Sequence, residues 1–420
     1  MKILINNVTV ADPQSFFHLQ TLSVLIDSGV IKKIAAEINE PADEIINASG
    51  AYISPGFTDI FAHASDPGFE HNETLASLAN AAMAGGYTTV AVLPNTNPVV
   101  DSKTAVSYIK NTAANLPVNI YPLGAVSKHI DGKELAEMYD MKQSGALAFS
   151  DYKHPIKDAG MMMRALQYAT NVNSFISVHC NDESISGNGQ MNEGETSTAL
   201  GLKGIPALAE ELMLQRNITI LEYTGGKMHV ATISTKGSVE LIKKAKAAGL
   251  QITCGVAAVN LMQDDSVLTD FDSNYKLNPP LRTKRDVAAL RNALENGTID
   301  VVVSDHLPQD PESKEFEFDL ADFGMIGLQT FFSCALEGLK EKGLENLVKS
   351  ITVNPRQILG ISASSIAEGA RANLTLFNPT AQSSLTEKNN YSRSKNSPFF
   401  NKLMMGRVVG VVNGTKSVFT

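Results

Sequence analysis

Cysteine is scarce. Only Cys180, Cys254 and Cys334 occur, far apart and odd in number, which excludes a disulfide framework and a Cys-based zinc knuckle. Apolar residues never run unbroken for the roughly 18 positions that a membrane helix needs, so no spanning segment is predicted. The opening Met1–Asn7 lacks the long apolar stretch of a secretory leader, and a soluble, cytoplasmic protein is expected. Positive charge is also in deficit: 35 Lys and Arg stand against 44 Asp and Glu, for a net charge of −9. That balance argues against general nucleic-acid binding, and no basic stripe suits a membrane surface. Solenoid repeats and low-complexity tracts are absent. No Gly-rich phosphate turn follows an early strand, which weighs against a doubly wound open sheet.

What is present can build a large core. Hydrophobic residues make up 43% and charged residues 19% of 420 positions. At about 150 residues per domain this is room for one large α/β barrel with an accessory domain. Short strands are predicted at both ends of the chain: Ile3–Val10, Leu22–Ile26 and Val30–Ile34, then Asn373–Phe377, Arg407–Val412 and, after an Asn413-Gly414 hairpin signal, Ser417–Phe419. Neither end alone has enough strands for a stable sandwich, so residues 1–53 and 363–420 are expected to meet in one small β-domain. Between them, β-branched runs recur at Phe57–His63, Thr88–Leu93, Val118–Leu123, Ala146–Ser150, Phe175–Cys180, Met228–Ile233, Gln251–Val256 and Ile299–Ser304. Helix-compatible stretches such as Leu75–Ala84, Gly160–Ala169 and Ser238–Ala248 separate them. This rhythm predicts a (β/α)8 TIM-like barrel over residues 54–362. Ser383–Ser397 is polar and reads as a surface excursion.

In a barrel, polar groups at the carboxyl ends of strands converge on the active site. Those ends carry Asp59 and His63, Asn95, Asp151, His179, Thr232 and the pair Asp305-His306. Two histidines and an aspartate, His63, His179 and Asp305, from three strand ends form a partial metal site. His71 sits in the polar run Glu70–Glu73, read as a solvated helix entry, and His229 falls on the opposite strand face from Thr232 and reads as structural.

Longer motifs carry a resemblance. Pro55–Gly68, Pro94-Asn95-Thr96-Asn97-Pro98-Val99, Val178-His179-Cys180, Ile233-Ser234-Thr235-Lys236, Asn274–Arg282, Ser304-Asp305-His306, Phe323-Gly324 and Ser394–Phe399 resemble, in order and spacing, the dihydroorotases of the cyclic amidohydrolase superfamily. The resemblance implies a barrel with a composite β-sandwich and the reversible opening of dihydroorotate to carbamoyl aspartate in pyrimidine biosynthesis. It also implies a pair of zinc ions that polarise the amide carbonyl and lower the pKa of an attacking water. The ligands would be a His-x-His on the first strand, a bridging carboxylate on the fourth, one histidine each from the fifth and sixth, and an aspartate on the eighth that also handles the proton. An arginine and two asparagines would grip the substrate carboxylate.

Set against that pattern, half of the ligand positions are changed. Phe61 stands for the first histidine, Tyr152 for the bridging carboxylate and Thr232 for the sixth-strand histidine, while Ser65 replaces the arginine. Gln309 and Ala257–Asn260 replace further histidine-bearing segments. His63 and His179 remain as residual metal ligands, Asp305 as a residual ligand and vestigial general base, and Asn95 and Asn278 as substrate-binding residues. Phenylalanine has no lone pair to offer, threonine is a poor substitute for imidazole, and a phenol has an ordinary pKa near 10. Serine cannot make the bidentate charged contact of arginine. A one-residue slip could instead bring Asp151 or Lys153 to the bridging position, or His154 or His71 could serve as substitute ligands.

Three functions are therefore expected in order. The first is a non-catalytic dihydroorotase-like protein, binding no zinc or binding it weakly, that acts as a partner or scaffold. The resemblance suggests aspartate carbamoyltransferase as that partner, besides other copies of the chain in a homo-oligomer. The second is an active hydrolase of dihydroorotate or another cyclic amide with a mononuclear zinc site. The third is a small-molecule binder using Asn95 and Asn278.

Overall fold

The computed structural model describes residues 1–339 and 343–419. Eight parallel strands form the barrel: Phe57–Ala62, Tyr87–Val92, Asn119–Pro122, Phe149–Ser150, Ile176–Val178, Met228–Val230, Ile252–Ala257 and Val301–Val303. Every residue of the first two is buried, as expected of strands covered on both faces. The third and fourth meet through the parallel bridge of Gly124 with Phe149, and Ser150 donates its amide to Gly124 at 2.8 Å. Between eighth and first, the His63 amide donates to the His306 carbonyl at 2.9 Å. Asp59 reinforces that seam, accepting from the Ser304 amide and hydroxyl and from the Phe61 amide.

Side-chain caps start the surrounding helices where strands deliver the chain. Thr74, with Ser77, boxes the helix Leu75–Ala84, and Thr283, with Asp286, boxes Lys284–Glu295. Asp158 caps Ala159–Asn171, whose Met161 and Met162 are core residues. The main core lies between strands and helices, with Leu78, Ile109, Met141, Leu166, Leu214, Ile242 and Leu290 facing inward. A separate apolar cluster of Phe61, Ala91, Leu93, Leu123, Ala148, Ala231, Val301 and Val303 runs around the strands themselves.

The two chain ends share one eight-stranded sheet. Tyr52–Pro55 pairs antiparallel with Asn373–Ser383, bringing Pro55 opposite Leu374 and Ser54 opposite Thr375. Alternation along Lys2–Val10 and Thr21–Asp27 sends Ile3, Ile5, Val24 and Ile26 to the core shared with Ile53, Leu374, Leu376 and Val412. Leu4 and Leu25 face the other way and pack on Ile38. The hairpin at Asn413-Gly414 forms as expected, with Gly414 at φ 62°.

Three local expectations need correction. Glu44–Asn47 and Tyr52–Pro55 are additional strands; the first is half exposed and the second runs into Pro55-Gly56, so neither shows a clear apolar pattern. The polar segment 383–397 is not wholly a surface excursion: Ser392, Ser394 and Asn396 are buried, bonded to Glu73, the Asn72 carbonyl and the Leu307 carbonyl. Glu73 itself, from the run read as solvated, is fully buried, whereas His71 is 63% exposed at its side chain. Among the described residues no helix is long and apolar enough to cross a membrane.

Candidate active site at the barrel mouth

The first, fifth and eighth strands end just before His63, His179 and Asp305. His63 follows the first strand and is buried; its Nδ1 lies 2.8 Å from Asn95 Oδ1. Donation to that oxygen puts the proton on Nδ1 and leaves Nε2 with the lone pair. Burial lowers the His63 pKa to about 4, so the ring is neutral at pH 7. His179 ends the fifth strand, and burial, with the Lys153 charge second, lowers its pKa to about 3. Asn278 lies beside His179, yet neither ring nitrogen makes a well-formed hydrogen bond.

Asp305 follows the eighth strand at φ 48°, and its two oxygens are 2.8 and 2.9 Å from Lys153 Nζ. The pair is secluded, with side-chain exposures of 8% for Lys153 and 9% for Asp305. Burial pushes the Asp305 carboxyl above the usual range, and the Lys153 charge pulls it back. Sequence reasoning treated Lys153 only as a slipped metal ligand. Its position directly after the changed bridging site was the available signal.

Phe61 and Tyr152 share the same mouth. Their rings stack at 6.3 Å between centroids and 23°, and the His63 ring lies 6.0 Å from Tyr152. Tyr152 has φ 58°, and burial, then the nearby Asp305 charge, raises its phenol well above 10. The Thr232 and Ser65 hydroxyls are buried without hydrogen-bond partners. A cavity of about 10 Å³ beside Tyr152 and His179, bordered by His154 and Asn217, has room for about one water.

Asp151 also borders that cavity, but its carboxylate is engaged elsewhere. It accepts from the Val126 amide at 2.8 Å and from the Ser127 amide and hydroxyl at 3.0 and 2.6 Å, fixing the loop after the third strand. Burial raises its pKa to about 6. The His154 ring is tilted by 53° against Tyr152 at 6.3 Å between centroids, and His71 Nε2 lies 3.8 Å from Asp310. His229 is structural as read, with Nδ1 2.8 Å from Thr253 Oγ1. Among the described residues no three His, Cys, Asp or Glu side chains group so as to hold a metal ion.

A second polar centre escaped sequence reasoning. His306 Nδ1 accepts from the Gly327 amide at 3.1 Å, so its proton sits on Nε2, 3.4 Å from Glu73 Oε2. Glu73 also accepts from Ser77, Ser392 and the Arg393 amide. Burial opposes its ionisation, but His306 and the serine hydroxyls together hold it below the usual range. This centre clamps the segment around Ser392 over the barrel. A local polar run gives no sign of a partner more than three hundred residues away.

An eight-stranded barrel with polar groups at its carboxyl ends and a β-domain made from both termini is the architecture of the cyclic amidohydrolases. Among solved structures the chain resembles the L-hydantoinase (dihydropyrimidinase) from Arthrobacter aurescens, at a TM-score of 0.86 and 23% identity, covering 99% of this chain and 96% of that one. It is similar also to the dihydropyrimidinase from Brevibacillus agri, at 0.83 and 22%, covering 100% and 95%. At these identities the likeness concerns fold. A Dihydro-orotase-like family model matches residues 50–238. The dihydroorotase of Pelotomaculum thermopropionicum is 42% identical over 100% of this chain and 98% of its own length. That of a Thermoanaerobacter species is also 42% identical, over 97% and 95%. The chain belongs to the dihydroorotase family.

Proposed function

We propose that this chain is a non-catalytic member of its family, a cytoplasmic partner or scaffold for aspartate carbamoyltransferase whose site does not take up the zinc pair. The observation that carries the reading is the stacked Phe61 and Tyr152 in the mouth, where the family resemblance calls for a histidine and a bridging carboxylate. A phenyl ring offers a metal no electron pair, and burial raises the Tyr152 phenol above its usual range, which disfavours the anionic form that a bridge needs. The residues present do not fit a dinuclear zinc centre. His63, bonded through Nδ1, and neutral His179 each keep one ring nitrogen with a lone pair, but the carboxylate that would complete a set, Asp305, already faces an ammonium.

Substrate orientation is weakened independently. Ser65 supplies only a short hydroxyl where a bidentate cation would hold a carboxylate. Asn95 is engaged with His63, which leaves Asn278 as the second amide beside the site. Losing both the activated water and the anchored anion lowers the two factors on which hydrolysis of a cyclic amide depends.

The test is cyclisation of carbamoyl aspartate, and opening of dihydroorotate, by protein prepared in excess zinc. No turnover above background is expected. Turnover that disappears in Asp305→Ala would establish a working mononuclear hydrolase instead. Co-sedimentation with aspartate carbamoyltransferase from the same organism tests the scaffold role, and two sedimenting species that never merge would defeat it.

A further inference from the structure

We propose that Lys153 is the resident cation of the barrel mouth: its ammonium occupies the place beside Asp305 that a divalent ion would need, and keeps such ions out. The inference rests on the reading above that the site is metal-free, and adds the group responsible. Two observations support it. The ammonium contacts both Asp305 oxygens, at 2.8 and 2.9 Å, so another cation would have to compete with it for either one. Lys153 is as secluded as its partner, and among the described residues no second carboxylate is paired with it, so one positive charge neutralises one negative charge in a place shielded from water.

Electrostatics makes the exclusion strong. A second cation entering beside a fixed ammonium in a secluded site meets repulsion that water would screen elsewhere. It would also have to strip Asp305 from Lys153 and leave that ammonium buried without a counter-charge, an arrangement that breaking one half of a buried ion pair makes costly. Lys153 Nζ lies over the Tyr152 ring, 6.0 Å from its centroid, so the two neighbours in sequence block the bridging position together, one by charge and one by bulk. Residues 151–153 thus divide three tasks: Asp151 anchors a loop, Tyr152 fills space, and Lys153 supplies charge.

The test restores the ligands with and without the lysine. One variant carries Phe61→His, Tyr152→Asp and Thr232→His; a second adds Lys153→Gly. Aspartate tolerates the left-handed backbone of position 152 better than most residues, which favours folding of both. Circular dichroism first establishes that each is folded. Zinc retained after gel filtration is then measured by elemental analysis, and visible absorption after cobalt addition reports the coordination. Only the variant lacking Lys153 is expected to retain stoichiometric metal and to show the cobalt bands, with at least a tenfold difference in retained zinc. Equal retention by both folded variants overturns the proposal while leaving the metal-free reading of the parent intact. Retention by neither also overturns it, because removing the ammonium would then open nothing. Stoichiometric zinc in the unmodified protein would instead sink the underlying reading.

Discussion

Replacing Lys153 by methionine should leave the folded protein with a buried carboxylate that has lost its counter-charge. Both Asp305 oxygens face Lys153 Nζ, and among the described residues no other side-chain hydrogen bond reaches that carboxylate. Removing one partner of a buried pair typically costs ~3–5 kcal/mol. The loss has a ceiling, because Asp305 can escape by taking up a proton, at ~1.4 kcal/mol for each unit between its raised pKa and the ambient pH. The variant's folded state then binds more protons than its unfolded state, so its deficit shrinks as the pH falls. Lys153→Met should therefore be most destabilised near pH 8 and recover toward pH 5, as read from urea midpoints at each pH. Adding Asp305→Asn removes the stranded charge while keeping a residue tolerant of φ 48°, and the double variant should regain most of the loss. A Lys153→Met protein within ~1 kcal/mol of the parent at pH 8, below the range for a broken buried pair, would refute the reasoning. So would a deficit that does not change with pH.

Other perturbations probe the scaffold. His229 titrates near 3 in the fold against an ordinary 6.5, burial being the cause, so the unfolded chain takes up a proton first as the pH drops below 6.5. Relative to His229→Asn, the parent should lose ~1.4 kcal/mol per pH unit between pH 6.5 and 5, and parallel stability curves would contradict this. Glu210→Gln should cost ~3–5 kcal/mol in denaturant unfolding, because Arg282, 3.8 Å away and buried, loses its counter-charge. Gly86→Ala should cost at least ~1–3 kcal/mol by thermal unfolding, since Gly86 sits at φ 99° and an added Cβ would stand 2.7 Å from the Phe57 ring.

The barrel was legible because its code is local and redundant. Runs such as Phe57–His63 and Thr88–Leu93 are buried on both faces, and caps such as Thr74 stand in the sequence beside the helices they start. The composition of the site was legible for a related reason: strand ends follow from strand positions, so His63, His179, Thr232 and Asp305 could be assigned to the mouth, and the family resemblance added Phe61 and Tyr152. Their pairings were not. Lys153 meets Asp305 across 152 residues, and Glu73 meets His306 and Ser392 only through tertiary packing. A run of polar letters looks the same whether water or a buried partner satisfies it. The strands Glu44–Asn47 and Tyr52–Pro55 were hidden likewise, for they owe their conformation to neighbours in the sheet rather than to an apolar pattern of their own.

The sheet that joins Tyr52–Pro55 to Asn373–Ser383 sets an order on synthesis. As the polypeptide emerges from a ribosome, its opening strands have one edge without a neighbour until the closing segment has been made. Barrel units can begin to pack as they appear, but completion waits for the final stretch to dock. Cutting back that stretch therefore exposes an edge laid down hundreds of residues earlier, and such an edge is a template for sticking to another molecule. Damage at one end of this polypeptide should be felt first at the other.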